Sequence, residues 1–278
     1  MIIVGAGLTA MDVILTLAER QPGRGGAITL LSRSGLLPRS HLASPAAPID
    51  PMSWLNELAV TGRVTRVRDL TRAFRAAVRG KSAAGGGGWR AVIDGLRPYT
   101  HGLWAALGEV ERRRFLRHVR SFWEVHRHRT APQIGARIEE LEAAGFFVKV
   151  RGKIRSGRSE PAGLALRVAV SRRGADPLER ALHANWAINC TGPSPTVGHH
   201  EDGVAASLIE AGLARMDPIG MGLETDPLGR PLGRTGRASG GLWIIGSLRR
   251  PALWETTAVP ELRVQAETVA RDCLVALA

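Results

Sequence analysis

Gly5, Gly7 and Ala10 stand in the spacing G-x-G-x-x-A directly after the apolar run Met1-Ile2-Ile3-Val4. Small residues at that spacing suit the holding of a phosphate. Gly5 permits a tight turn out of a strand, Gly7 lets backbone N–H groups approach a pyrophosphate, and Ala10 lets the following helix pack closely on the sheet. The helix start at Leu8 and Thr9 then faces the anion. A second apolar run, Ala27-Ile28-Thr29-Leu30-Leu31, ends in Ser32-Arg33. In NAD and FAD sites the corresponding strand ends in Asp or Glu, about 20 residues on, to hydrogen-bond the adenosine ribose. A carboxylate repels a 2′-phosphate, whereas a hydroxyl and an arginine fork bind one, so the site is expected to prefer NADP, with NAD as the second choice. Arg39 places a further guanidinium in the loop beyond the strand. The bland alternative is an ordinary glycine-turned βα unit without a ligand, and for residues 32–39 a basic surface turn.

Other residue types offer less. The stretch Arg112-Arg113-Arg114-Phe115-Leu116-Arg117-His118, continued to Arg129, reads either as a pocket wall for NADP phosphates or an acidic substrate, or as a solvated helix face with Phe115, Leu116, Val119 and Phe122 turned inward. His126 and His128 are candidates for proton transfer near neutral pH, but no general acid or base can be named for a reaction. There is no G-x-S-x-G elbow and no spacing of Ser, His and Asp that suggests a hydrolase triad. Cys190 at a strand end reads as a buried small residue rather than a nucleophile. Cys190 and Cys273 form no C-x-x-C pair, and neither His126/His128 nor His199-His200 has metal-ligand spacing, so no metal is expected. No Lys-Ser/Thr follows the glycine tract at residues 83–88, which excludes a P-loop.

The elements that must position these groups follow from periodicity. Leu8, Met11, Val13, Ile14, Leu17 and Ala18 give a helix stopped by the Pro/Gly cluster at residues 22–26. Helices are expected over residues 52–59, 67–78, 89–96 and 103–120, and over 132–144, where Gly145 ends the run. Strands are expected over 146–150, then near 152–155, 164–170 and 184–189, the last running into Asn189-Cys190-Thr191-Gly192. A helix near 204–211, a Gly/Pro-rich loop over 217–236, a strand over 241–245 and a closing helix from 259 to 277 complete the chain. Its 278 residues carry a formal net charge of +13. That charge is scattered and nearly all arginine, with lysine only at Lys81, Lys149 and Lys153, and no nucleic-acid-binding motif accompanies it. Attraction of anionic cofactors is the simpler use of the field. No run approaches the roughly 20 apolar residues of a membrane span. The leading segment lacks the basic start of a secretory signal, and Asp12 interrupts it, so a cytoplasmic chain is expected.

Five strings in order resemble the bacterial FAD/NAD(P)-binding flavoprotein oxidoreductases of the two-dinucleotide-binding type: residues 4–12, Leu31-Ser32-Arg33-Ser34-Gly35-Leu36-Leu37-Pro38, Val125-His126-Arg127-His128-Arg129, Asn189-Cys190-Thr191-Gly192-Pro193, and Leu253-Trp254-Glu255-Thr256-Thr257-Ala258-Val259-Pro260. The resemblance implies an α/β fold: a Rossmann-like NAD(P)-binding domain over residues 1–190 with a helical insert at about 51–131, then a segment over 191–278 like the closing part of an FAD domain. It implies hydride transfer from NADPH to flavin, followed by hydroxylation of a small-molecule substrate or onward electron transfer. Gly5, Gly7, Ala10, Ser32 and Arg33 would belong to the nicotinamide-nucleotide site, and Gly192, Gly246, Thr256 and Thr257 would border the flavin. The family carries an earlier FAD-binding glycine motif, absent from these residues. The expectation is therefore a shortened chain, with a separately encoded FAD-binding half as one partner. The alternative is a noncatalytic nucleotide-binding or interaction module derived from such an enzyme.

Overall fold

A computed structural model describes residues 1–20, 28–44, 46–83, 88–172, 174–192 and 203–277. The elements in chain order are β1 (Ile2–Val4), α1 (Leu8–Arg20), β2 (Ile28–Ser32), α2 (Met52–Val60), α3 (Val67–Ala83), α4 (Gly88–Gly95), α5 (Thr100–Ala106), α6 (Glu109–His118), α7 (Arg120–Arg127) and α8 (Pro132–Ala143). They continue with β3 (Phe147–Glu160), β4 (Gly163–Arg172), β5 (Ala175–Ala184), β6 (Ala187–Asn189), α9 (Val204–Glu210), α10 (Arg250–Leu253) and α11 (Val259–Leu277). The chain is α/β and divides into two units, Met1–Ala47 with His118–Pro193, and Pro48–Arg117 with Ser194–Ala278. Residues 51–117 of the expected insert group with the C-terminal segment, and residues 118–131 with the first unit.

In the first unit one sheet has the order β5-β4-β3-β2-β1-β6. β2, β1, β6 and the start of β3 run parallel, and β3, β4 and β5 form an antiparallel meander. β1 and β2, the central parallel strands, are short apolar runs, as strands covered on both faces must be. On one face Ile3, Ile28, Leu30 and Phe147 pack against Ala10, Met11 and Ile14 of α1 and Ile138 and Leu141 of α8. On the other, Ile2 and Leu31 pack against Leu166 and Val168 of the meander. Side chains of this size contribute about 1.5–3 kcal/mol each when fully buried. α8 starts on Pro132, which has no N–H to leave unpaired. It ends in a Schellman motif: Gly145 is left-handed at φ 70°, and Phe146 N–H donates to Leu141 O at 2.9 Å.

Three expectations are corrected. The helix expected over 103–120 is α5 and α6, because Leu107 is extended (φ −77°, ψ 123°) and Gly108 precedes a fresh start with Glu109 and Glu111 in the first turn. Residues 152–155 are no separate strand but the continuation of β3, which pairs with β2 through Arg151 and with β4 from Gly152. Residues 241–245 form no strand: Ile244 N–H donates to Gly229 O at 2.8 Å, but no neighbouring strand supplies a ladder among the described residues. β5 was not expected at all. It is an edge strand exposed along nearly its whole length, with Pro177 and charged Asp176, Glu179 and Arg180, so it shows no alternation. The expected helix stop at residues 22–26, the tract at 84–87 and the pair His199-His200 lie outside the described residues.

The second unit is helical with a Gly/Pro-rich loop held by isolated bridges, Met216 to Leu223, Thr225 to Pro231 and Leu232 to Ala238. Its aromatic centre is Trp104, Phe115 and Trp254, with ring centroids 4.9–5.8 Å apart. Trp104 Nε1–H donates to Pro251 O at 2.7 Å. Trp254 has φ 60° and ψ −66°, and Glu255 N–H donates to Leu253 O at 2.7 Å. That is a γ-turn of the rare, strained hand, and the stacking of the Trp254 ring on Trp104 holds it. No helix among the described residues is long and apolar enough to cross a membrane.

Candidate functional site

β1 lies between β2, which α1 joins to it, and β6, which follows β5. The chain leaves the carboxyl end of β1 toward one side of the sheet while β6 lies on the other. Such a reversal of strand order leaves a crevice beyond the strand ends, where open α/β sheets bind ligands. Gly5 and Gly7 are at that place. Gly5 N–H donates to Leu31 O at 2.9 Å, and its φ is 105°. A Cβ there would lie 2.3 Å from Cys190 O, so the turn fits against the end of β6 only because the residue is glycine. Gly7 is the reverse case: a Cβ there meets nothing within 4 Å. Gly7 is exposed, and it is the residue directly before the helix start.

α1 begins at Leu8 with the N–H groups of Ala10 and Met11 bonded back to Gly7 O. Leu8 and Thr9 are exposed, and no acidic side chain occupies the first turn. The first N–H groups of a helix have no intrahelical acceptor and carry the positive end of the dipole. Here nothing negative from the helix itself neutralises them. Ala10 is fully buried against the sheet, as the motif requires.

The end of β2 is built as a tight turn. Ser32 Oγ accepts from Gly35 N–H at 3.0 Å, and Ser34 Oγ accepts from Leu36 N–H at 3.2 Å. The Ser32 hydroxyl proton has no acceptor among the described residues and is left to donate. Arg33 and Arg39 are exposed, and neither side chain has a hydrogen-bond or ion-pair partner among the described residues. The backbone of Arg39 is anchored to Val125 O and Thr130 N–H, so the loop runs beside the end of α7. The sequence reading missed Arg151. It sits in β3 in register with Ser32, and the position where a Gly35 Cβ would lie is 3.2 Å from its own Cβ. The sequence carried only part of the signal: Phe147-Val148-Lys149-Val150 reads as a strand, but that Arg151 stands level with Ser32 follows from the strand register. Lys149, two residues back, is paired with Glu142 at 2.6 Å, while Arg151 is exposed and has no partner among the described residues. Ser32, Arg33 and Arg151 thus lie together at the carboxyl end of β2, with Arg39 on the same loop.

The remaining candidates divide between the units. Gly192 is exposed with φ 74°, just beyond β6, where Thr191 donates from N–H and hydroxyl to Asn189 Oδ1. Burial raises the Cys190 thiol above its ordinary value, which keeps it protonated and unreactive. His128 lies 3.5 Å from Glu124, and His126 Nδ1 is 2.7 Å from Phe122 O, so both rings are engaged locally in the last turn of α7. In the second unit, Gly246 and Thr256 are brought together by Gln265: the Thr256 hydroxyl donates to Gly246 O, Gly246 N–H donates to Gln265 Oε1 at 3.0 Å, and Gln265 Nε2 donates to Thr256 O at 3.2 Å. These groups satisfy one another. Thr257 is left exposed before α11.

No protein-family model matches the chain, and no curated protein matches it. Among solved structures it is similar to the ornithine hydroxylase PvdA from Pseudomonas aeruginosa, at 15% identity, covering 100% of this chain and 52% of that one with a TM-score of 0.48. The reduced form of that enzyme gives 16% identity and the same TM-score, covering 53% of that chain. L-lysine 6-monooxygenase from Pseudomonas syringae gives 14% identity, covering 99% of this chain and 52% of that one with a TM-score of 0.49. The chain spans about half the length of these proteins.

Proposed function

We propose that the first unit binds NADP(H), as the nicotinamide-nucleotide site of an FAD/NAD(P)-dependent oxidoreductase. The observation that carries this reading is the open space before Gly7, faced by an unneutralised helix start at the point where strand order reverses. The residues fit the cofactor. Backbone N–H groups of Leu8 and Thr9 would hold the pyrophosphate, and Ser32, Arg33 and Arg151, with Arg39 in support, would hold the 2′-phosphate. The flavin part of the reading is supported by the sequence strings around Asn189 and Leu253–Pro260. Bound nicotinamide and flavin supply hydride transfer; the chain supplies orientation and electrostatics.

The test is calorimetry of the whole chain with NADPH and with NADH, while the visible spectrum is recorded with and without added FAD. NADPH is expected to bind at least about tenfold tighter than NADH, a difference of about 1.4 kcal/mol. Equal affinity removes the NADP preference, and no binding of either removes the reading. Gly7→Ala separates site from scaffold. Its methyl has room in the folded protein, so stability is expected to stay within about 1 kcal/mol while NADPH affinity falls about tenfold or more. Unchanged affinity would show that the space before Gly7 is not where the phosphates go.

A further inference from the structure

The second unit holds a cavity of about 290 Å³ whose polar lining is Glu109, Arg112, Asp217, Glu224 and Thr225, with Ile219, Leu232 and Pro251 among its apolar walls. Its volume is at the small end of ligand pockets, about 300–1,000 Å³, which suits a single ring. Two of its carboxylates are already committed: Glu109 pairs with Arg113 at 2.8 Å, and Glu224 pairs with Arg215. Asp217 is not. It is 6% exposed, its Oδ2 accepts from Ile219 N–H at 3.0 Å and Met221 N–H at 3.4 Å, and Oδ1 has no partner among the described residues. Arg112 donates from Nε to Trp104 O at 3.2 Å and from Nη1 to Pro251 O at 3.3 Å, with its guanidinium 5.0 Å from the Trp104 ring centre; Nη2 has no hydrogen-bond partner among the described residues. Thr225 lines the cavity, and its Oγ1 is turned away from open space without a hydrogen-bond partner among the described residues, so a ligand meets the hydroxyl once the side chain rotates. A buried hydroxyl in that state is costly unless something arrives to meet it.

The charges choose among ligand classes. A cation would be drawn to Asp217 and opposed by Arg112. An anion would be drawn to Arg112 and opposed by three carboxylates. A neutral molecule with a donor beside an acceptor meets every free group. Burial raises the Asp217 carboxyl, against the pull of Met221 and Ile219 N–H and of Arg112, and burial lowers Arg112, against Asp217, so the surroundings disfavour charge at both ends of the cavity.

We propose that this cavity binds a small neutral molecule with an amide or ureide edge, its N–H donating to Asp217 Oδ1 and its carbonyl accepting from Arg112 and, once its side chain rotates toward the cavity, from Thr225. The site stands independently of the nucleotide reading, because every residue in it belongs to the second unit.

The experiment is ligand-detected saturation-transfer NMR on the whole chain with uracil, n-butylamine and butyrate as probes. Saturation is expected to pass to uracil and not to the other two. Asp217→Asn and Thr225→Val are each expected to weaken uracil binding at least about fivefold. Thr225→Val keeps the volume and removes the orphaned hydroxyl, so it is expected to leave the melting temperature level or raise it, which keeps the test valid if Asp217→Asn unfolds the turn. No transfer to uracil, stronger transfer to the amine or the carboxylate, or undiminished uracil binding in folded Thr225→Val overturns the proposal.

Discussion

Gly5→Ala is expected to destabilise the first unit by at least about 3 kcal/mol and to abolish NADPH binding, since a backbone clash adds to the cost of a side chain in the left-handed region. The clash is with Cys190 O, 2.3 Å from the added carbon, and this oxygen belongs to a chain segment fixed by Cys190 N–H donating to Val4 O at 2.7 Å. Neither partner can move without opening the pairing of β1 with β6. The measurement is the urea midpoint of the variant beside Gly7→Ala. A Gly5→Ala protein as stable as the parent would mean that β1 and β6 do not meet in the register Ile2 to Ala187, and the crevice would go with it.

The double substitution Arg33→Ala, Arg151→Ala is expected to cost NADPH about a hundredfold in affinity and NADH almost nothing. Each guanidinium would contribute a charge-assisted hydrogen bond to a phosphate at the low end of about 1.5–3 kcal/mol, because both side chains are exposed and screened by solvent. Neither has a partner among the described residues to leave unpaired, so folding stability is expected to hold. The NADPH preference of the parent should also shrink as salt rises, since the site is exposed and screened. If Arg33→Ala alone removes the whole preference and Arg151→Ala removes none, the 2′-phosphate is read from the β2 loop only.

What the sequence made legible was local. The unit β1, α1, β2 could be read because its signals lie within three dozen residues: two apolar runs, a glycine turn and a helical repeat of Leu8, Met11, Val13, Ile14, Leu17 and Ala18. Arg151 was not read as a site residue because its partner Ser32 is far away in sequence, and only strand register makes them neighbours. The same holds for the cavity, where Arg112 and Asp217 are brought together by folding alone. β5 was illegible for another reason. An edge strand is shaped by the need to avoid further pairing, so its polar residues and Pro177 carry no inward face to detect. The apolar run at residues 241–245 misled in the opposite sense, since β-propensity without a neighbour makes no strand.

β3 serves two partners along one continuous strand, parallel with β2 up to Arg151 and antiparallel with β4 from Gly152. Those two halves face very different searches as the chain folds. The hairpin that pairs Glu160 with Gly163 closes a loop of two residues, while Ile28 meets Phe147 only after more than a hundred residues have been drawn in. Loop-closure entropy makes the first fast and the second slow. The meander is therefore expected to form early and to present a finished strand edge onto which β2, and then β1, is laid. The crevice proposed to hold the nucleotide would be among the last features of the molecule to appear.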